Sequence, residues 1–344
     1  MSDTTNQRIP SAAIYGCAGL ELSAAEADFF RTADPFGFIL FARNCQTPDQ
    51  IRELVTALRE SVGRPEAPVL IDQEGGRVAR LKPPQWRAAP PASYFGRMAS
   101  HDRERAHEAL RINTRLLAAE LRDLGIDVDC VPLLDLHFLG AHDVIGDRAF
   151  GGDPDLVADL GRIVCETMLE GGVMPVAKHI PGHGRARVDS HHELPVVDTS
   201  AAELEASDFR PFQALADAPW GMTAHVIYTA LDDTAPATTS RKVIDNVIRG
   251  WIGFDGLLLS DDLSMQALSG TLGERAAASL AAGCDVALHC NGKPEEMDQV
   301  AAAVGPLTAE AQRRIAAARA RLGRSGPVDQ AALQRRLDGL MNNA

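Results

Sequence analysis

Eight short apolar runs, spaced so that helical stretches fall between most of them, constrain this chain more than any other feature. They are IYGCAGL (14–20), GFILFA (37–42), VLIDQE (69–74), DVDCVPLLDL (127–136), VMPVA (173–177), GMTAHVIYTAL (221–231), GLLLSDDL (256–263) and DVALHCN (285–291). Each has strand length. Strands alternating with helices build a parallel sheet, because a parallel pair needs a crossover connection and a helix usually supplies it. Eight such units close into a (β/α)8 barrel, whereas an open doubly wound sheet shares the alternation and is the competing reading. The count favours the barrel, and so does the placement of polar residues. Asp72, Asp135, Lys178, His225 and Asp261 all lie toward the carboxyl ends of their runs, the end at which such barrels carry their chemistry.

The connecting segments carry helix signals. Ser23 with Glu26 three residues on reads as a capping box. Thr47–Pro48 opens a second helix, since proline suits the first turn. Further helices are expected over 104–125, stopped by Gly125, and over 154–170, 201–218, 240–252 and 272–282. Ala- and Arg-rich helix follows from about residue 308. No linker or repeat divides the chain, so residues 1–344 read as a single barrel domain. A net charge of −13 argues against nucleic acid or an anionic membrane as partner, because both demand basic patches. The six cysteines form no CxxC pair, and no apolar span reaches membrane length. The expectation is a cytoplasmic, reduced, soluble monomer acting on a small molecule.

Chemistry-bearing residues concentrate in three loops. In 173–195, VMPVAKHIPGHGRARVDSHHELP, an apolar strand feeds a segment holding Lys178, His179, His183, Asp189, His191 and His192. Pro181, Gly182 and Gly184 deny that segment a helix. Asp189 beside His191 favours the imidazolium and raises its pKa from about 6.5, the behaviour wanted of a general acid that later acts as base. The plainer reading is a solvated turn. Asp261 and Asp262 end another apolar strand; adjacent strand residues point to opposite faces, so one can attack a substrate while the other caps the following turn. In DQEGGRVARL (72–81), Asp72, Arg77 and Arg80 can present a carboxylate with guanidinium groups, and Gly75 and Gly76 allow close backbone approach to a ligand. Arg148, in IGDRAF, is a further candidate. His179 and His183 are four apart, but without a helix they form no HxxxH zinc face, so no metal site is expected.

Taken together, DQEGGRVARL, IGDRAF, KHIPGHG, DSH and SDDLSM resemble the family-3 glycoside hydrolases, and among these the bacterial β-N-acetylglucosaminidases of peptidoglycan recycling. Two departures are Ile180, where Phe is more usual, and the additional imidazole of His192. The resemblance implies a retaining β-hexosaminidase on one TIM-like barrel, without cofactor or metal. It makes Asp261 the nucleophile and His191 the general acid/base, oriented by Asp189. Asp72, Arg80, Arg148, Lys178 and His179 then hold the N-acetylglucosamine ring. The implied substrate is N-acetylglucosaminyl-1,6-anhydro-N-acetylmuramic acid, with or without its peptide. A glycoside phosphorylase on the same residues and a non-catalytic sugar-binding protein are the alternatives.

Overall fold

The computed structural model describes residues 8–138, 140, 142–190, 193–323, 326 and 328–342. Eight parallel strands close a barrel in chain order. They are β1 (Ser11–Gly16), β2 (Pro35–Leu40), β3 (Val69–Ile71), β4 (Val128–Asp129), β5 (Met174–Ile180), β6 (Trp220–Thr223), β7 (Leu257–Asp262) and β8 (Val286–His289). β1 pairs with both β2 and β8, which removes every open edge from the sheet. The (β/α)8 reading therefore holds over the doubly wound one.

Side-chain parity decides what fills the barrel. Leu70, Met174, Val176, Leu257, Leu259, Val286 and Leu288 belong to one buried apolar cluster, while their neighbours Ile71, Ala177, Leu258 and Ala287 pack in another, against the helices. Successive strand residues face opposite ways, so each strand supplies both layers. The helix Ala309–Arg319 contributes Ala311, Ile315 and Ala318 to the interior cluster and closes the amino-terminal end of the barrel. Arg314 fastens it, with Nη1 2.8 Å from Asp285 Oδ1.

The expected helix starts are present. Ser23 and Glu26 form the capping box of Ala24–Ala33, and Thr47 caps Pro48–Ser61. The long helix spans Arg103–Asp123, and Gly125 follows it with φ of +79°. Four expectations need correction. The helix placed over 201–218 is two short ones, Ala201–Ala206 and Arg210–Ala214, because Pro211 lacks an N–H and Asp208 turns aside to pair with Arg185. The run 221–231 leaves the barrel after Thr223; Ile227–Tyr228 pairs instead with Val196–Val197 in a separate ladder. The segment expected as a helix over 240–252 is one, Val243–Trp251, wound as a π-helix. Finally, β5 continues past Ala177 to Ile180, which makes Lys178 and His179 strand residues rather than loop residues. Two helices carried no signal used above: Ala92–His101, between β3 and the long helix, and Pro294–Ala303. Among the described residues no helix is long and apolar enough to cross a membrane.

Candidate active site

The carboxyl ends of the strands surround an open cavity of about 430 Å³, a size suited to a small ligand. Strand parity aims its key residues. Asp72 lies two residues past inward Leu70, Lys178 two past Val176, and Asp261 two past Leu259. Each continues an inward row to the mouth, where the apolar filling gives way to charge. All three line the cavity, together with Arg80, Arg148, His179, His183, Asp189 and Ser190. His191 and His192 lie outside the described residues.

A buried ion network forms one wall. Lys178, only 2% exposed, places Nζ 2.8 Å from Asp72 Oδ1 and 2.7 Å from Glu74 Oε1. Arg80 Nη2 donates to Asp72 Oδ2 at 2.9 Å, and Arg148 grips Glu74 with Nε at 2.9 Å and Nη2 at 2.8 Å. Burial opposes ionisation of both acids, but the facing cations outweigh it. Glu74 is held down at about 2, and Asp72 far below the ordinary carboxylate range. Burial likewise works against the Lys178 ammonium, and Asp72 and Glu74 more than compensate, so it stays charged. Glu74 is the residue that the sequence reading missed. A signal was available, because a buried arginine such as Arg148 needs a carboxylate partner.

The loop joining these groups is shaped from within. The buried Gln73 side chain accepts from the backbone N–H of Arg80 and Leu81 and donates to Leu81 O, folding 72–81 back on itself. Gly75 and Gly76 do not serve ligand approach, as the sequence suggested. A Cβ on Gly75 would sit 2.3 Å from Pro90 O, and one on Gly76 2.7 Å from Pro91 Cβ, so both permit chain-on-chain packing. Arg77 also departs from its expected partner. It leaves Asp72 to Arg80 and turns to Asp143 and Asp147 on the rim.

Opposite, buried Asp135 organises the histidines. Its carboxylate lies 2.7 Å from His179 Nδ1 and accepts the His183 backbone N–H at 2.6 Å. Since a carboxylate only accepts, His179 carries its proton on Nδ1. Burial disfavours the Asp135 anion, but His179 and then His183 lower its pKa. His183 is itself pushed down to about 4, by burial and then by His179, and is neutral at working pH. Its Nε2 lies 3.2 Å from Ser190 Oγ. Among the described residues no three His, Cys, Asp or Glu side chains form a group that could hold a metal ion.

The two aspartates at the end of β7 both line the cavity but bond differently. Asp262 accepts from Ser264 N at 3.0 Å, Ser264 Oγ at 2.6 Å and Cys290 N at 3.2 Å, and so builds the following turn. Asp261 lines the cavity, with its backbone N–H directed to Thr223 Oγ1 at 3.3 Å and its Oδ1 accepting from Asp262 N at 2.8 Å. Behind them, His225 sits 3.0 Å from Asp262 O through Nε2 and 2.7 Å from Thr238 Oγ1 through Nδ1.

Comparison with known proteins gives this arrangement a family. The glycosyl hydrolase family 3 N-terminal domain matches residues 22–324. The chain belongs to glycosyl hydrolase family 3. A β-hexosaminidase of Chromobacterium violaceum is 41% identical over 295 residues, 84% of this chain and 81% of that protein. The crystal structure of NagZ from Neisseria gonorrhoeae in complex with N-trifluoroacetyl-D-glucosamine superposes with a TM-score of 0.86 at 32% identity, covering 97% of this chain and 98% of that one. A structure of the same Neisseria protein in complex with zinc ion gives a TM-score of 0.85 at 31% identity, with the same coverage.

Proposed function

We propose that this chain is a retaining β-N-acetylhexosaminidase that removes N-acetylglucosamine from 1,6-anhydro-muropeptides, the soluble fragments of cell-wall recycling. The observation that carries the reading is the inward row ending at Asp261 in the same cavity as Asp189 and the Asp72–Lys178–Glu74–Arg148 network. Asp261 attacks the anomeric carbon while His191, paired with Asp189, protonates the leaving oxygen; neutral His191 then activates water, and configuration is retained. Asp72, Arg80, Arg148, Lys178 and His179 hold the ring. The pairing of Asp72, Arg80, Arg148 and Lys178 through Asp72 and Glu74 favours this, since oriented, charged groups can hydrogen-bond sugar hydroxyls without first being ordered. The work is assigned to residues 1–344 as one domain, in the cytoplasm and without a metal.

The test is turnover of an aryl β-N-acetylglucosaminide and of the anhydro-disaccharide, with and without phosphate and chelator. Hydrolysis of both, indifferent to either additive, is expected. Phosphate-dependent release of sugar 1-phosphate would establish a phosphorylase, and binding without turnover a sugar-binding protein. Loss of activity to chelator would establish a metal enzyme.

A further inference from the structure

Ser190 stands between Asp189 and His191 in sequence, yet it is 3% exposed while Asp189 is only half-buried. Its hydroxyl and its carbonyl are bonded to different walls of the cavity. Oγ lies 3.2 Å from His183 Nε2. Its backbone oxygen accepts from Ala267 N at 3.3 Å, in the loop that follows the strand-end Asp261. His183 is fixed in turn, because its backbone N–H donates to Asp135, the carboxylate that also holds His179. The chain between them is pinned as well. Gly184 packs so closely on Leu136 O that a Cβ would come within 2.0 Å, and Ala186 O accepts from His142 N at 3.0 Å.

We propose that Ser190 and His183 are positioning residues, which set Asp189 at a fixed place in the cavity relative to Asp261 by tying its loop to buried Asp135 through His183 and to the segment after β7 through Ala267. This rests on the reading of Asp189 and His191 as the acid/base pair and adds to it the residues that place the pair. The proton distribution suits a permanent bond. His183 Nδ1 is buried without a partner, and an orphaned acceptor is tolerated better than an orphaned donor, so the proton belongs on Nε2 and is donated to Ser190 Oγ. Because His183 stays neutral far below working pH, this bond persists while the acid/base pair cycles.

Displacing a general acid by about an ångström costs on the order of 10²-fold where its proton is needed, and little where it is not. Ser190→Ala should therefore lower kcat/KM about 10²-fold for an alkyl β-N-acetylglucosaminide, but far less for an activated aryl one. It should add nothing in a His191→Ala background, since residues acting as a unit are not additive. His183→Gln should give the same leaving-group signature. Equal losses for both leaving groups in the two variants, no loss at all, or full additivity with His191→Ala overturns the proposal. His191→Ala alone separates the two readings. If it shows the leaving-group bias and Ser190→Ala does not, only the positioning role falls; if it shows none, the acid/base assignment falls first.

Discussion

At the scale of the residue, Asp261 and Asp262 show how one peptide step separates chemistry from structure. Both line the cavity, but Asp262 commits its carboxylate to two backbone N–H groups and a hydroxyl. Asp261→Ala should lower kcat on the order of 10⁴-fold or more with little change in unfolding free energy, as for loss of a nucleophile. Asp262→Ala should keep far more activity but lose about 1–3 kcal/mol, because buried donors are left unpaired. Steady-state kinetics beside urea unfolding read both, and labelling of Asp262 by a 2-fluoro sugar would reverse the assignment. Lys178 makes the opposite kind of case, a buried charge that is structural and functional at once. Lys178→Met leaves Asp72 and Glu74 facing an apolar side chain, so a loss of about 3–5 kcal/mol is expected together with loss of turnover. Unchanged stability in that variant would mean that the network is looser than its distances indicate.

At the scale of the element, the segment from β5 into the 181–190 loop joins a rigid strand to the residues that must meet a substrate. Its fully buried histidine makes the loop's stability dependent on pH. The folded-state pKa of His183 is depressed, so the unfolded chain takes up the proton first. Its contribution is complete above about pH 6.5 and is lost as pH falls toward 4, in all about 3 kcal/mol. The carboxylates Asp72 and Glu74 act lower, through the range below the ordinary carboxylate pKa, since theirs are depressed too. Urea unfolding between pH 6.5 and 4.5 should therefore show a slope that flattens in His183→Gln. An equal slope in both proteins would place the titrating group elsewhere.

At the scale of the whole molecule, the barrel is closed below by a helix and open above to the cavity. Ile315 sits in the interior cluster at 7% exposure, far from the chemistry. Ile315→Ala should cost about 2–5 kcal/mol, as large-to-small core changes do, and lower Tm while kcat/KM at 25 °C is unchanged. A matching loss of activity in the still-folded variant would show that the closed end governs the geometry of the open one.

What the sequence by itself determined is what period and pattern encode. Eight apolar runs with helices between them specify the barrel, and the inward row that passes through Leu257 and Leu259 arrives at Asp261 by counting alone. The capping box at Ser23 was equally legible, because its two bonds join residues three apart. Only the tertiary structure decided the rest. Glu74 meets Arg148 across 74 positions and Lys178 meets Asp72 across 106, and neither partner marks the other in the chain. Gly75 and Gly76 face Pro90 and Pro91 rather than a ligand, and Arg77 turns to the rim, for the same reason. Local pattern specifies which way a side chain leaves its own strand, whereas its partner depends on which loops the closed barrel brings to one mouth.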